Sequence, residues 1–294
     1  MLIKRNVKLF FKDKGMFLTS LITPVILLVL YTTFLGNVYR DSFTMNLPET
    51  VKLPEKLLNG LVGGQLISSL LAVSCVTVAF CSNFLMVQDK AVGTIKDLRI
   101  SPVRASILSL SYYIASLIST LTICFVATGL CLGYLAVTGW YLSIGDVLSL
   151  LLDVVLVVLF GTALSSVINL FLSSQGQISA VGTIVSSGYG FICGAYMPIS
   201  SFSPGLQKVI SFLPGTYGTA LMRNHAMQGA LAEMKTEDIP AQLIEELKNA
   251  LDCNLYFFEK QVHIPTMYAI VAVTIAVLIA AYILLNKLQN KKSR

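Results

Sequence analysis

LVGGQLISSLLAVSCVTVAFCSNFLMVQDKAVGTIKDLRISPVR, residues 61–104, is the stretch whose reading decides the fold. Residues 61–87 carry no ionisable Asp, Glu, Lys or Arg, and a bilayer core needs about 20 apolar residues in a helix, so this run predicts a membrane span. A short charged segment then breaks it, and apolar sequence resumes at residue 106. Working outward, the same alternation gives spans over residues 15–36, 61–87, 106–138, 147–171, 178–196 and 266–286. Six such stretches predict an all-α polytopic membrane protein, because a helix satisfies its own backbone hydrogen bonds where no water can.

Composition agrees with that class. The 294 residues are 55% hydrophobic and 12% charged, against about 25% charged in a soluble domain. The whole chain, 1–294, reads as one transmembrane domain, with an elbow helix at 1–14, a connecting segment at 88–104 and an outer segment at 197–265. Thirteen of the 21 basic residues fall in the amino-terminal segment, segment 88–104 and the carboxy-terminal tail, with three acids, a net of +10. The other connections hold eight basic and eleven acidic residues, and the positive-inside bias therefore predicts cytoplasmic termini. Basic side chains spread along one membrane face are explained by lipid, so nucleic-acid binding is not expected.

Around 100° per residue, Ile3, Val7, Phe10 and Phe11 share one face of the first helix while Lys4, Arg5, Lys8 and Lys12 share the other. This pattern predicts an elbow helix lying in the headgroup layer, with a break near Pro24 turning the chain into the membrane. The first apolar stretch exceeds a signal-peptide core and lacks a small-x-small cleavage pattern, so it reads as a retained span. Five of the six cysteines lie in spans, leaving Cys253 outside, and no disulfide framework is implied. His225 and His263 lie outside the spans, no H-E-x-x-H or paired carboxylates occur, and no metal or catalytic residues are assigned.

In segment 88–104, Ala91, Ile95 and Leu98 recur at helical spacing among charges, and Pro102 disfavours helix at Ser101. A short amphipathic helix over 90–101 is predicted, with Lys90 on its solvated flank, and it needs something to pack on. The Gly93-Thr94 pair, Leu98 and then Ser101-Pro102-Val103, between the second and third of six spans, resemble the coupling helix of type-2 ATP-binding-cassette (ABC) export permeases. The resemblance extends to the basic elbow, the span order and the outer run Pro214-Gly215-Thr216-Tyr217 with Arg223 downstream. It implies coupling residues Ala91, Gly93, Thr94, Ile95, Leu98, Ser101 and Pro102, engaging a separate ATPase present in two copies. ATP and magnesium then belong to that partner. This chain carries no G-x-x-x-x-G-K-[ST] and binds no cofactor by this reading.

Gly182, Ser186, Gly190 and Gly194 recur every four residues along span five, a stripe that allows close helix approach in a membrane. Packing within one chain explains the stripe equally well; the resemblance places such a stripe at the seam with a second permease chain, a homodimer or related heterodimer. Asp153 is the one acid within a span; it shares a helical face with Gly161, Ser165 and Asn169, and costs about 2.5–3.5 kcal/mol if left unpaired. Asp153, Ser165 and Asn169 are therefore candidates for a substrate pathway, while a hydrogen bond to a neighbouring helix explains Asp153 equally simply. Ser109, Tyr112, Ser116 and Ser119 on span three form a polar face that could accompany it. In the outer segment, residues 199–222 suit two short re-entrant helices, and Leu243, Ile244, Leu247 and Leu251 share the face of a further helix capped by Asp238.

The function expected is the transmembrane subunit of an exporter for an amphipathic or hydrophobic substrate: a drug, antibiotic, peptide or lipid-linked molecule. The resemblance implies a bacterial plasma membrane. The alternatives are a secondary transporter using Asp153, which would ordinarily show more buried carboxylates or an internal repeat, and an exporter of glycan or lipid-linked polysaccharide.

Overall fold

The computed structural model describes residues 1–45, 53–100, 103–236, 239–258 and 260–292. In chain order the elements are α1 (Leu2–Lys12), α2 (Lys14–Leu30), a π-helical turn (Tyr31–Leu35), α3 (Gly36–Met45), α4 (Glu55–Val92), α5 (Thr94–Ile100), α6 (Ala105–Thr138) and α7 (Ile144–Asn169). They continue with α8 (Gln175–Ile192), a 3-10 turn (Ile199–Ser201), α9 (Pro204–Ser211), α10 (Pro214–Thr236), α11 (Ala241–Ala250), a hairpin of β1 (Leu255–Phe257) and β2 (Lys260–Val262), and α12 (Ile264–Lys292). The protein is all-α and polytopic apart from that hairpin. Among the described residues, five helices are long and apolar enough to cross a membrane: Lys14–Asp41, α4, Ser106–Thr138, α7 and Ile264–Gln289. The stretch read as span five becomes α8, only 18 residues and about 27 Å long at 1.5 Å per residue, with serines and glycines diluting its apolar face.

The bundle is organised around α4. Its 38 residues are buried along nearly their whole length, packed by α2, α6, α7, α8 and α10. Small side chains explain the position: lipid is as apolar as leucine, so helices gather where small residues let backbones approach. A β-carbon on Gly161 of α7 would stand 3.0 Å from the Val76 backbone, and one on Gly64 would stand 2.7 Å from the Ala226 carbonyl oxygen of α10. At about 57 Å, α4 is longer than a hydrocarbon core of about 30 Å, and its carboxy-terminal turns stay packed beside the start of α6 and the end of α7.

Two boundaries differ from the sequence expectation. The chain turns into the bundle at Asp13, whose Oδ1 accepts from the Met16 N–H and caps α2, and α2 runs straight through Pro24. Further along, one extra residue widens the helix at Tyr31–Leu35. The Thr32 and Thr33 hydroxyls donate to the Leu28 and Val29 carbonyls there, satisfying acceptors that the wider turn displaces.

The amino-terminal helix, the end of α4, α5, the start of α6, the end of α7 and the tail of α12 gather at one end, termed the basic end below. The other end carries the re-entrant pair α9 and α10, then α11 and the hairpin. Helix α10 runs well past Met222, and α11 buries Ile244, Leu247 and Leu251 as its periodicity predicts. Asp238, the predicted cap of α11, lies outside the described residues; Pro240 occupies the N-cap.

Candidate functional site

A groove of about 850 Å³ runs between α2 and α8. Ile22, Ile26, Leu30 and Phe191 supply its apolar wall, and Thr19, Thr23, Ser179, Thr183, Ser186 and Ser187 line it with hydroxyls. Several of those hydroxyls already have donor duties: Thr19 donates to the Gly15 carbonyl at 2.6 Å, Thr183 to Ser179 at 2.9 Å and Ser187 to Thr183 at 2.5 Å. Their remaining lone pairs make the wall an acceptor surface set in an apolar trough. Asp13 and Gln88 stand in the lining from the basic end, and Tyr196 belongs to the far end.

The predicted seam residues divide. Gly182 and Ser186 line the groove, with Phe84 in ordinary contact distance of Gly182. Gly190 does not present an open face: the Tyr196 ring of the same chain fills the space its side chain would need. Gly194 lies beyond the end of α8 in a left-handed conformation, φ +71°, beside Ile199. The open positions on this helix are Gly176 and Gly188, where an added β-carbon meets nothing within 4 Å.

At the basic end, α4 carries Ala91 and Val92 and stops at Gly93, whose φ of +91° is a left-handed cap few other residues adopt; α5 starts at Thr94. The predicted helix over 90–101 is thus two elements with a hinge at Gly93. Ile95 is buried in the chain's own core and Leu98 packs against it, so the face expected to meet a partner is turned inward. Ala91, Val92 and Asp97 are exposed instead; Ser101 and Pro102 lie outside the described residues.

Asp89 and Lys90, one turn before this hinge, are anchored on opposite sides. The Asp89 carboxylate pairs with Arg5 of α1 at 3.0 Å and accepts from the Tyr112 hydroxyl of α6. Burial alone would lower the Arg5 pKa; its hydrogen bond and charge pairing with Asp89 raise it overall. Lys90, expected on a solvated flank, donates to the Asn169, Leu170 and Leu172 carbonyls at 2.9, 3.1 and 3.3 Å. Its ammonium caps the carboxy-terminal end of α7, where unpaired carbonyls and the helix dipole attract a cation. One dipeptide therefore ties α4 to the elbow, to span three and to the turn leading into α8.

Asp153 has 0% of its surface exposed. Its Oδ2 meets His225 Nδ1 of α10 at 2.6 Å, and its Oδ1 accepts from the Tyr268 hydroxyl of α12 at 2.7 Å. Burial pushes the His225 imidazole down, but the hydrogen bond and charge of Asp153, with a smaller contribution from Asp146, raise it above its ordinary value. Ser165 and Asn169 do not join this cluster. Ser165 accepts from Asn83 Nδ2 of α4 at 2.9 Å, and Asn169 is buried with both side-chain amide atoms unpaired. The polar face of α6 does not accompany Asp153 either: Tyr112 serves Asp89, Ser116 meets Ser82 at 2.6 Å, and Ser109 donates to Asn286 of α12. None of Asp153, Ser165 and Asn169 lines the groove between α2 and α8.

A second network centres on Arg223, 1% exposed, which donates to the Gly194 carbonyl at 2.8 Å and pairs with Asp252 at 3.5 Å. Burial pushes the Asp252 carboxyl up, and Arg223 and the Ile199 N–H pull it back. This network fastens the end of α8, α10 and the end of α11 to one another and to Ser69 of α4.

A bundle of lipid-length helices around a buried mast, with a hydroxyl-lined groove open on one side and a charged hub at one end, is that of a multi-pass membrane protein. The model of the ABC-2 type transporter family matches residues 1–226, and the chain belongs to that family. No curated protein and no solved structure matches it. Members of this family are the transport membrane subunits and perform no catalysis themselves.

Proposed function

We propose that this chain is the transmembrane subunit of an ATP-driven exporter, in a bacterial plasma membrane with both termini cytoplasmic, that moves an amphipathic or hydrophobic substrate along the groove between α2 and α8. The observation that carries the reading is that groove. Its acceptor-rich, apolar wall suits a molecule with a hydrocarbon body and a few donors, and polar atoms there discriminate such ligands through hydrogen bonds that would otherwise go unmade. A second permease chain covers the open side, and two copies of a separate ATPase bind at the basic end, where ATP and magnesium are held. Closure of the ATPase pair tilts α4 through α5 and shifts the inward and outward populations.

The test is transport by the permease and its ATPase in proteoliposomes with a Thr183→Trp variant. Thr183 is exposed and lines the groove, so the indole fills the path without disturbing the bundle. Export should drop at least tenfold with thermal stability unchanged. Wild-type export by a stably folded Thr183→Trp protein would remove the groove as the route.

A further inference from the structure

The far end carries a surface that the exporter reading does not use. Leu206, Val209 and Phe212 are spaced by three residues and all exposed, an apolar stripe running along α9 and just past its end. The tip of the hairpin adds Phe257 and Phe258, also exposed. The three rings form one cluster drawn from two elements, with centroid separations of 5.1 Å for Phe212 to Phe257, 6.0 Å for Phe212 to Phe258 and 5.0 Å for Phe257 to Phe258. Phe258 is held at φ +55°, a left-handed conformation that a bulky residue adopts only when its surroundings impose it, and its side chain is exposed. Three apolar rings standing clear of a core are unfavourable in water.

Behind them lies a cavity of about 900 Å³ between α9, the end of α11 and the hairpin. Lys208 and Lys260 both line it, the Lys208 ammonium lying 5.9 Å from the Phe258 ring centre. Gln207, Asn249 and Asn254 add amide groups. Asp252 also lines it, but its carboxylate faces Arg223 and the Ile199 N–H. The cavity therefore offers two cations beside an apolar wedge, since the Gln207 and Asn254 amide N–H groups already donate within the chain, Gln207 to the Ser200 and Phe202 carbonyls and Asn254 to Glu245 and Asn249.

We propose that the wedge and this cavity form a binding site for an anionic phospholipid of the leaflet at the far end, its acyl region against Phe212, Phe257 and the α9 stripe and its phosphate between Lys208 and Lys260. Continuity selects lipid as the occupant. The hairpin ends at Val262 and the membrane span α12 begins at Ile264, so a hairpin of three residue pairs, about 10 Å tall, keeps its rings within about 10 Å of the level at which that span starts. Aromatic rings flanked by lysines are the side chains that settle at this depth.

The chain has a single tryptophan, Trp140, which allows a direct test. A Trp140→Phe protein carrying Phe258→Trp, and a second carrying Phe257→Trp, are placed in nanodiscs of phosphatidylcholine and phosphatidylglycerol with one or the other brominated near the glycerol. Brominated lipid should quench the reporter, aqueous iodide should not, and brominated phosphatidylglycerol should quench the more strongly. Replacing Lys208→Gln and Lys260→Gln together should abolish that preference, since each lysine near an anionic surface is worth about fivefold in affinity. Quenching by iodide alone would put the wedge in water and overturn the site. Protection from both quenchers would mean that protein covers it, a second copy included, and would overturn the site equally. Lipid quenching indifferent to headgroup and to both lysines would overturn the phosphate assignment.

Discussion

Asp153 is fully buried and held by two side chains from other helices, and those partners show where a sequence reading stops. Removing its carboxylate with Asp153→Leu leaves His225 and Tyr268 without their acceptor and should cost about 3–5 kcal/mol, whereas Asp153→Asn keeps an acceptor and should cost less. The His225 pKa is raised by folding, so the charged pair contributes fully below the ordinary imidazole value near 6.5 and is lost as pH rises through the raised one. Thermal unfolding in nanodiscs should show a midpoint falling over that alkaline window in the wild type and flat in His225→Gln. Parallel curves would mean that the pair does not titrate with folding. Asp153 itself was legible, being the one acid within a span, but His225 lies 72 residues away in a segment read as extramembranous. No spacing rule links the two, because the link is made by α10 folding back against α7 and α12.

At the scale of elements, hydrophobic periodicity located nearly every helix and misjudged which way two of them face. Ala91, Ile95 and Leu98 do share a helical spacing, but Gly93 breaks the helix between the first and the others and turns Ile95 into the chain's own core. Lys90 looked like a solvated flank because a lysine's sequence neighbours say nothing about three carbonyls at the end of another helix. The consequence for coupling is testable. Ile95→Asp buries a charge within the permease and should lower its own thermal stability by several kcal/mol before any ATPase is present. Val92→Asp, at a position 77% exposed, should leave the permease stable and weaken ATPase binding tenfold or more. If the purified Val92→Asp permease binds the ATPase normally in a pull-down titration, the surface beside Gly93 is not where the ATPase docks.

For the molecule as a whole, the class and the approximate positions of five of the six expected spans followed from apolar runs of about 20 residues or more, and the central place of α4 did not. In water the most hydrophobic helix is the buried one; in lipid that rule fails, and the informative residues are the small and hydroxylic ones along α4, such as Gly64, Ser68, Ala72 and Ser82. The same signal on α8 was assigned to pairing with a second chain, although Gly190 is already occupied by Tyr196. A bulky residue at Gly190 would therefore damage the fold of one chain and say nothing about two. Gly188 separates the questions, since a side chain there meets nothing of its own chain within 4 Å. Gly188→Ala should stabilise the single chain by about 0.5–1 kcal/mol through helix propensity. If α8 packs on a second permease chain, Gly188→Leu should keep the chain folded and lower the paired fraction severalfold, read by native mass spectrometry in detergent or by crosslinking in vesicles. Unchanged pairing in a stably folded Gly188→Leu protein would move the contact between chains away from this face of α8, leaving the groove beside it to be covered by lipid.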